Sequence, residues 1–279
     1  MAVVSPCGVE RIVDLSPSIL PFAARGLTGI CIHDNRIVLA VQSSVLSILL
    51  VLDRDYEVQG EIRLPNAADL HGVIARGTEL VVVSTGTNKV IAVDWPAGGQ
   101  GRVIWEEVGV ETDRDHLNDL TVTENGTLLV SRFGPRRSDH MRSGAVFEPD
   151  TGRVLLGGLR EPHSVCCWHS VVHVLESVAG DLIRAPGDTV PQRVMGIIGY
   201  ARGLSLDDEY IVIARSGYRE SSRGTLGGRR SAPFLAPPAG DEFLRYSGLC
   251  FIAQDAGTTR WVDTTICGPE IYQVVPLSD

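Results

Sequence analysis

Three histidines lie near the starts of three successive apolar strands, and each has a carboxylate or amide neighbour. The strands read DLHGVIA from Asp69, HLNDLTV from His116 and EPHSVCC from Glu161. Imidazoles that converge from separate strands can bind a divalent metal ion, and beside carboxylates they can move protons near neutral pH. Histidine mixed with carboxylates suits Zn, Fe, Mn or Ni better than Ca, which prefers oxygen ligands.

The same residues therefore support two kinds of site, which the sequence leaves open. In one, a divalent metal is bound, and the predicted ligands are His71, His116, His163, Asn118 and Asp69. In the other, the imidazoles and carboxylates work without metal as acid and base. In either site the predicted catalytic groups are Glu161, Glu176 and His163.

The strands that carry these residues recur at a nearly constant spacing. The residues at the strand openings are Thr28, His71, Asn118, His163, Arg202 and Ser247, separated by 43, 47, 45, 39 and 45 residues. A period near 44 with about four short strands per unit is typical of a propeller blade. The sequence therefore predicts an all-β fold, a single six-bladed β-propeller domain over residues 1–279, with a polar central channel.

In a propeller the first strand of each blade lines the channel, so these openings should meet at one end of it. The loop after each second strand should emerge at the same end, because strand direction alternates within a blade. We also expect the N-terminal strand VERIVDL to seal the last blade, since ring closure needs such a seal.

Arginines at these positions predict a small anionic substrate. The predicted substrate-binding residues are Arg132, Arg202, Arg215, Tyr218 and Arg219. The last two belong to a long Gly- and Pro-rich loop after Ser216, which is either an anion-recognising lid or a solvated insertion.

The overall charge argues against nucleic acid as a partner. The formal net charge is −9 and the isoelectric point is near 5.3, whereas nucleic-acid-binding proteins concentrate positive charge. The first residues lack a basic segment followed by an apolar one, and no apolar run is long enough to span a bilayer. We therefore expect a cytoplasmic protein without a membrane partner.

The repeats resemble the propeller superfamily of the SMP-30/gluconolactonase and strictosidine synthase-like proteins. The segments LREPHSVCCWHSVVHVLESVAGDL from Leu159 and GYARGLSLDDEYIVIARSGYRE from Gly199 look like an uncharacterised bacterial propeller family of the DUF4915 type. The likeness to the lactonases implies a channel metal held by Glu, Asn and Asp, with Asn118 in a comparable position. A looser likeness to the streptogramin lyases implies elimination chemistry.

The function favoured by the sequence is a small-molecule enzyme that hydrolyses, eliminates or isomerises an anionic substrate at the channel mouth. Two alternatives remain: a metal-free cyclase or epimerase, and a propeller without catalytic activity that binds a protein or peptide.

Overall fold

The computed structural model describes residues 1–15, 24–43, 46–109, 113–135, 143–187, 190–197, 199–217, 234–235, 247–268 and 270–277. It is all-β. Five antiparallel sheets of four strands follow one another along the chain, and one of them has an additional short edge strand. The first strands of consecutive sheets pack side by side from blade 1 to blade 5. This is the architecture of a β-propeller.

Within each blade the strands pair in chain order as an antiparallel meander. A separate N-terminal hairpin consists of β1 (Ala2–Ser5) and β2 (Gly8–Ile12). Blade 1 contains β3 (Ala24–His33), β4 (Arg36–Ser43), β5 (Ile48–Leu52) and β6 (Val58–Arg63). Blade 2 contains β7 (Leu70–Arg76), β8 (Glu79–Ser84), β9 (Lys89–Asp94) and β10 (Arg102–Glu106). Blade 3 contains β11 (Leu117–Val122), β12 (Leu128–Arg132), β13 (Gly144–Phe147) and β14 (Val154–Leu159).

Blade 4 contains β15 (Pro162–Trp168), β16 (Val171–Glu176), β17 (Asp181–Ala185) and β18 (Gln192–Ile197), with β21 (Phe234–Leu235) parallel to β18 at its edge. Blade 5 contains β19 (Tyr200–Leu206), β20 (Tyr210–Ser216), β22 (Gly248–Ala253) and β23 (Thr259–Asp263). Short 3-10 turns occupy Thr85–Thr87 and Thr265–Cys267.

The second strand of each blade is apolar on both faces because it lies between two neighbours. In β8, Leu80 and Val82 pack into the core shared with blade 1, whereas Val81 and Val83 pack into the core shared with blade 3. Successive strand residues point to opposite faces, so a continuous apolar run fills both cores. Four such cores join the blades from 1 to 5.

The predicted number of six blades was wrong. The segment YSGLCFI, expected to open a sixth blade, contributes β22, the third strand of blade 5, and TRWVDTT contributes β23, the fourth. The long connection 217–247 between β20 and β22 lengthens the step from Arg202 to Ser247 to 45 residues, which is the spacing of one repeat. An insertion inside a blade therefore reproduced the spacing of a new blade.

The seam between blade 5 and blade 1 is built differently from the other interfaces. The N-terminal strand was expected to seal the last blade by joining it, but the hairpin β1–β2 forms a sheet of its own. Its Val4 and Val9 pack against blade 5, and Met1 and Leu15 pack against blade 1. The tail 270–277, in which no strand is assigned, lies beside it. The hairpin seals the ring by packing rather than by pairing.

Among the described residues, no helix combines the length and the hydropathy that a membrane crossing requires.

Candidate functional site

The first strands of all five blades share a local irregularity close to their starts. Pairing with the second strand shifts register within the first few residues of β3, β7, β11, β15 and β19. Such bulges bend a strand and redirect its side chains. Just before this point, Asp69, His116 and Glu161 adopt positive φ angles of 52°, 49° and 53°. Non-glycine residues rarely adopt this conformation, and it is concentrated at functional sites.

The ring of His71 is held in one tautomer. The side chain is 5 % exposed, and its Nδ1 lies 3.2 Å from the carbonyl oxygen of Asp69 and 2.9 Å from Oγ1 of Thr85. The Thr85 hydroxyl gives its one proton to the carbonyl of Leu117, at 2.5 Å, so it accepts from His71. In the neutral ring the proton is therefore on Nδ1, and Nε2 keeps a lone pair.

His163, two blades further, is held in the same way. It is 2 % exposed, with Nδ1 3.0 Å from the carbonyl of Glu161 and 2.7 Å from Oγ of Ser177. The Ser177 hydroxyl donates to the carbonyl of Ala201, 2.5 Å away. Again the hydroxyl accepts from Nδ1 and leaves Nε2 unprotonated.

Both imidazoles are neutral at pH 7. Burial lowers the pKa of His71 to about 4, and the charge of Arg202 contributes to this shift while Asp69 opposes it. Burial, and next the charge of Arg202, hold the pKa of His163 well below its ordinary value. A neutral imidazole whose Nε2 carries a lone pair can accept a proton or bind a metal.

Seven side chains, these two histidines among them, form a closed circuit of contacts. Each contacts the next, with ring centroids, or the Cζ of the one arginine and a ring centroid, 4.4–6.1 Å apart. The members of this mouth ring are, in order, Tyr272, His71, His116, Phe133, His163, Tyr200 and Arg202.

Two carboxylates support the ring. Glu270 accepts hydrogen bonds from Arg202 Nη1 at 3.1 Å and from the hydroxyl of Tyr272 at 2.7 Å. Glu161 accepts from the hydroxyl of Tyr200 at 2.5 Å. Burial, and then the charge of Glu161, raise the pKa of Tyr200, so its phenol stays protonated.

Two buried donors at the mouth have no acceptor among the described residues. They are Nδ2 of Asn118, whose side chain is 5 % exposed, and Nε of Arg202. A buried donor without a partner costs about 1–3 kcal/mol, so an acceptor supplied by a ligand would relieve that cost.

The tail takes the position that a sixth first strand would have. Thr85 and Ser177 donate to the next blade at Leu117 and Ala201, and Ser216 at the end of β20 donates to the carbonyl of Ile271 at 3.1 Å. Ile271 thus corresponds to the first-strand residues of the other blades. The neighbouring Tyr272 corresponds to the mouth residues, which explains its place in the ring.

A further buried acid, Asp119, directly follows Asn118 in β11. Asp119 is 6 % exposed; its Oδ1 accepts from the Leu120 amide at 2.9 Å and lies 3.5 Å from Nε2 of Gln273 in the tail. Burial raises its pKa to about 7, and the hydrogen bonds from Leu120 and Ser164 oppose that shift.

Several predicted residues are used elsewhere. Glu176 accepts from Arg160 Nε at 2.8 Å. Arg132 lies over the ring of Phe147, with 4.8 Å between Cζ and the centroid. Arg215 is fully buried, with its Cζ 6.0 Å from the Trp261 ring. Tyr218 and Arg219 lie outside the described residues.

The residues predicted to reach the mouth from the second strands were one position too early. They were the strand-end residues, such as Arg132 and Glu176, whereas the following residues, Phe133 and Ser177, contact the histidines. Adjacent strand residues face opposite ways, so an offset of one selects the wrong face. A small hydroxyl residue 14 positions after His71 and after His163 was the available signal.

The described residues do not fit the predicted metal site. They contain no group of three or more His, Cys, Asp or Glu side chains able to hold an ion. Phe133 lies between His116 and His163, with centroids 4.4 and 4.9 Å from theirs. The Nδ1 of His116 is 2.7 Å from the Asp113 carboxylate instead.

The fold is similar to that of several solved propellers. A Bacteroides caccae protein of unknown function has 12% identity and a TM-score of 0.63 over 100% of this chain and 94% of its own. Regucalcin from Agrobacterium tumefaciens, a calcium-binding protein, has 14% identity and a TM-score of 0.62 over 89% and 77% of the two chains. Virginiamycin B lyase from Staphylococcus aureus has 12% identity and a TM-score of 0.55 over 90% and 89%.

At these identities the likeness concerns the fold alone, and it confirms the predicted β-propeller fold. No curated protein matches the sequence significantly. One family model, the domain of unknown function DUF4915, matches residues 23–279. Because that match spans nearly the whole chain, the protein belongs to the DUF4915 family.

Proposed function

We propose that the protein is an enzyme that moves a proton on a small anionic molecule at the mouth ring, leading to elimination or isomerisation. The observation that carries this proposal is the matched pair of neutral imidazoles, His71 and His163, each with its proton fixed on Nδ1. In blades 2 and 4 a side-chain hydroxyl accepts the Nδ1 proton in the same way, which keeps the lone pair of Nε2 available.

The two buried donors without an acceptor indicate which chemical groups the substrate carries. Asn118 Nδ2 and Arg202 Nε need acceptor oxygens, which a carboxylate supplies. The His Nε2 atoms need a donor, which an acidic C–H or O–H next to that carboxylate supplies. The proposed substrate therefore combines an anionic group with an ionisable hydrogen.

In the proposed reaction, Nε2 of His163 or His71 removes the proton from the substrate. The electron pair left on the substrate forms a double bond and expels a leaving group, or it accepts a proton again at another atom. An anion near Arg202 offsets the positive charge that depresses the imidazole pKa, so the bound substrate makes the base stronger. The imidazolium formed in this way returns the proton, to the leaving group or to the other atom of the substrate, so the base is regenerated.

Propellers with lyase names share this fold, which agrees with elimination but does not assign it. The predicted divalent metal enters no step here, because the described residues form no ligand set for it. It stays a prediction, and elemental analysis of the protein beside a His71→Ala/His163→Ala variant tests it.

The direct test is exchange of substrate hydrogen for deuterium. A panel of small carboxylic acids is incubated with the protein in D2O and followed by NMR. We expect exchange or turnover of at least one acid, reduced on the order of 10²- to 10⁴-fold in His71→Gln and His163→Gln. The control is His169→Gln, because His169 is two-thirds exposed and lies next to Asp208.

Two outcomes would contradict the proposal: activity retained in both mouth variants, or no acid bound by the wild-type protein. Binding of a peptide or protein partner that ignores both substitutions would favour the alternative without catalysis.

A further inference from the structure

The seam between blade 1 and blade 5 encloses a cleft of about 1100 Å³. At the other four interfaces the two blades share one buried core. At the seam, the facing sides of blade 1 and blade 5 form two separate apolar clusters. The cleft lies between them, walled at its ends by the hairpin β1–β2 and the tail. We call it the seam cleft. Its apolar wall includes Leu27, Ile30, Tyr56, Val212, Leu249 and Phe251.

The seam cleft adjoins the mouth ring, because Glu270 and Tyr272 line the cleft and also contact Arg202. On the blade 1 side it is lined by Gln42 and Thr28, which hydrogen bond to Asp69 and to the carbonyl of Leu70 at the opening of blade 2. A molecule whose head group meets Arg202 therefore has the entrance of the cleft next to it.

The charges around the seam cleft and around the mouth ring favour different chemical groups. The described residues that line the seam cleft include the acids Glu10, Asp207 and Glu270 but no lysine or arginine. The amino group of Met1 is nearby, and burial lowers its pKa. An anion is therefore disfavoured inside the cleft, whereas an uncharged apolar chain matches its walls.

The size also exceeds what a small acid needs. Ligand sites commonly measure about 300–1,000 Å³ and bury most of the ligand in apolar surroundings. The seam cleft lies slightly above that range, and the donors Arg202 and Asn118 do not line it.

We propose that the substrate is an amphipathic acid: its carboxylate binds at Arg202 and Asn118, and its aliphatic chain lies in the seam cleft. This inference rests on the proposed function, since it assigns the head group to the same site. It adds the chain as the part of the substrate that determines specificity.

The test is calorimetric titration with straight-chain carboxylates from butanoate to dodecanoate, below their micellar concentrations. We expect affinity to rise roughly fourfold per added methylene, the value for burial of a CH₂ group. Ile30→Trp, which fills the cleft, should remove this dependence and leave butanoate binding intact. Val212→Phe is the second filling variant, in case Ile30→Trp does not fold.

Val103→Trp is the matched control, because Val103 is 43 % exposed on β10, away from the seam. Arg202→Gln should weaken binding of every chain length, and dodecanoate methyl ester should bind less well than dodecanoate. Equal effects of Val103→Trp and the filling variants would overturn the inference, and so would equal binding of ester and acid.

The two proposals fail differently. If butanoate binds through Arg202 but longer chains gain nothing, the cleft assignment is wrong and the proposed function stands. If no carboxylate of any length binds the wild-type protein, both are wrong.

Discussion

Blades 2 and 4 differ from blade 3 at equivalent positions of the mouth. In blades 2 and 4 the mouth residue is a histidine, and a hydroxyl residue after the second strand accepts its Nδ1 proton. In blade 3 the mouth residue is Asn118, and the residue after the second strand is Phe133, which has no acceptor. Asn118 accordingly keeps an unpaired donor. Blades 2 and 4 thus complete the hydrogen bonds of this position within the fold, whereas in blade 3 the proposed function assigns the missing acceptor to the substrate.

The largest loss of stability should come from removing a hydroxyl that accepts the Nδ1 proton of a mouth-ring histidine. Ser177→Ala leaves the buried carbonyl of Ala201 without this donor, and it leaves the Nδ1–H of His163 only the Glu161 carbonyl at 3.0 Å. At about 1–3 kcal/mol for a buried group that loses its partner, we expect a loss of that size in the free energy of unfolding. Urea denaturation measures it.

Thr85→Val is the equivalent change in blade 2 and should have a similar cost, because valine keeps the shape but not the hydroxyl. A loss below about 0.5 kcal/mol in both variants would show that the hydroxyls are not needed to hold the rings.

The second effect concerns pH. The pKa of His71 is lower in the folded protein, at about 4, than the ordinary value of 6.5, so the unfolded chain binds more protons between these values. The contribution is complete above pH 6.5 and is lost as pH falls toward 4. Thermal melts should therefore show a declining Tm over this window, with a shallower decline in His71→Gln.

Asp119 acts in the opposite direction. Its pKa is raised to about 7 in the folded protein, so ionising it costs stability as pH rises from its ordinary range to 7. Asp119→Asn should therefore gain in Tm relative to wild type as pH increases. A difference that does not vary with pH would show that Asp119 is ionised throughout.

The smallest change in stability should come from blade 3. Asn118→Leu removes a buried donor that has no partner among the described residues, so we expect a change within about 1 kcal/mol of zero. Binding of small carboxylates should weaken at least fivefold in the same variant. Marked destabilisation with unchanged binding would mean that Asn118 completes the fold rather than a ligand site.

The sequence predicted the parts of this site that follow the repeat. His71, Asn118, His163 and Arg202 occupy the strand openings where the spacing placed them, since a short strand with period-2 alternation has few possible registers. The second-strand residues were offset by one because a run such as VVHVLES is apolar on both faces and does not reveal which face turns to the mouth.

Glu270, Tyr272 and Gln273 could not be predicted. They belong to a segment without strand pattern, and they reach the mouth only through contacts such as the Ser216–Ile271 hydrogen bond. Tertiary contacts of this kind leave no periodic trace in the sequence. The blade count failed for a related reason, because spacing alone does not distinguish an insertion from a repeat.

The tail is held less firmly than the other segments at the site. The first strands of blades 2 to 5 are anchored by strand ladders, but residues 270–277 are held by side-chain hydrogen bonds and packing. Segments with few ladder bonds open at lower free energy than the sheets around them. Amide hydrogens of the tail should thus exchange before those of the blades. The wall that carries Tyr272 would detach and return while the propeller stays folded, so the site can be disassembled at far smaller cost than the protein.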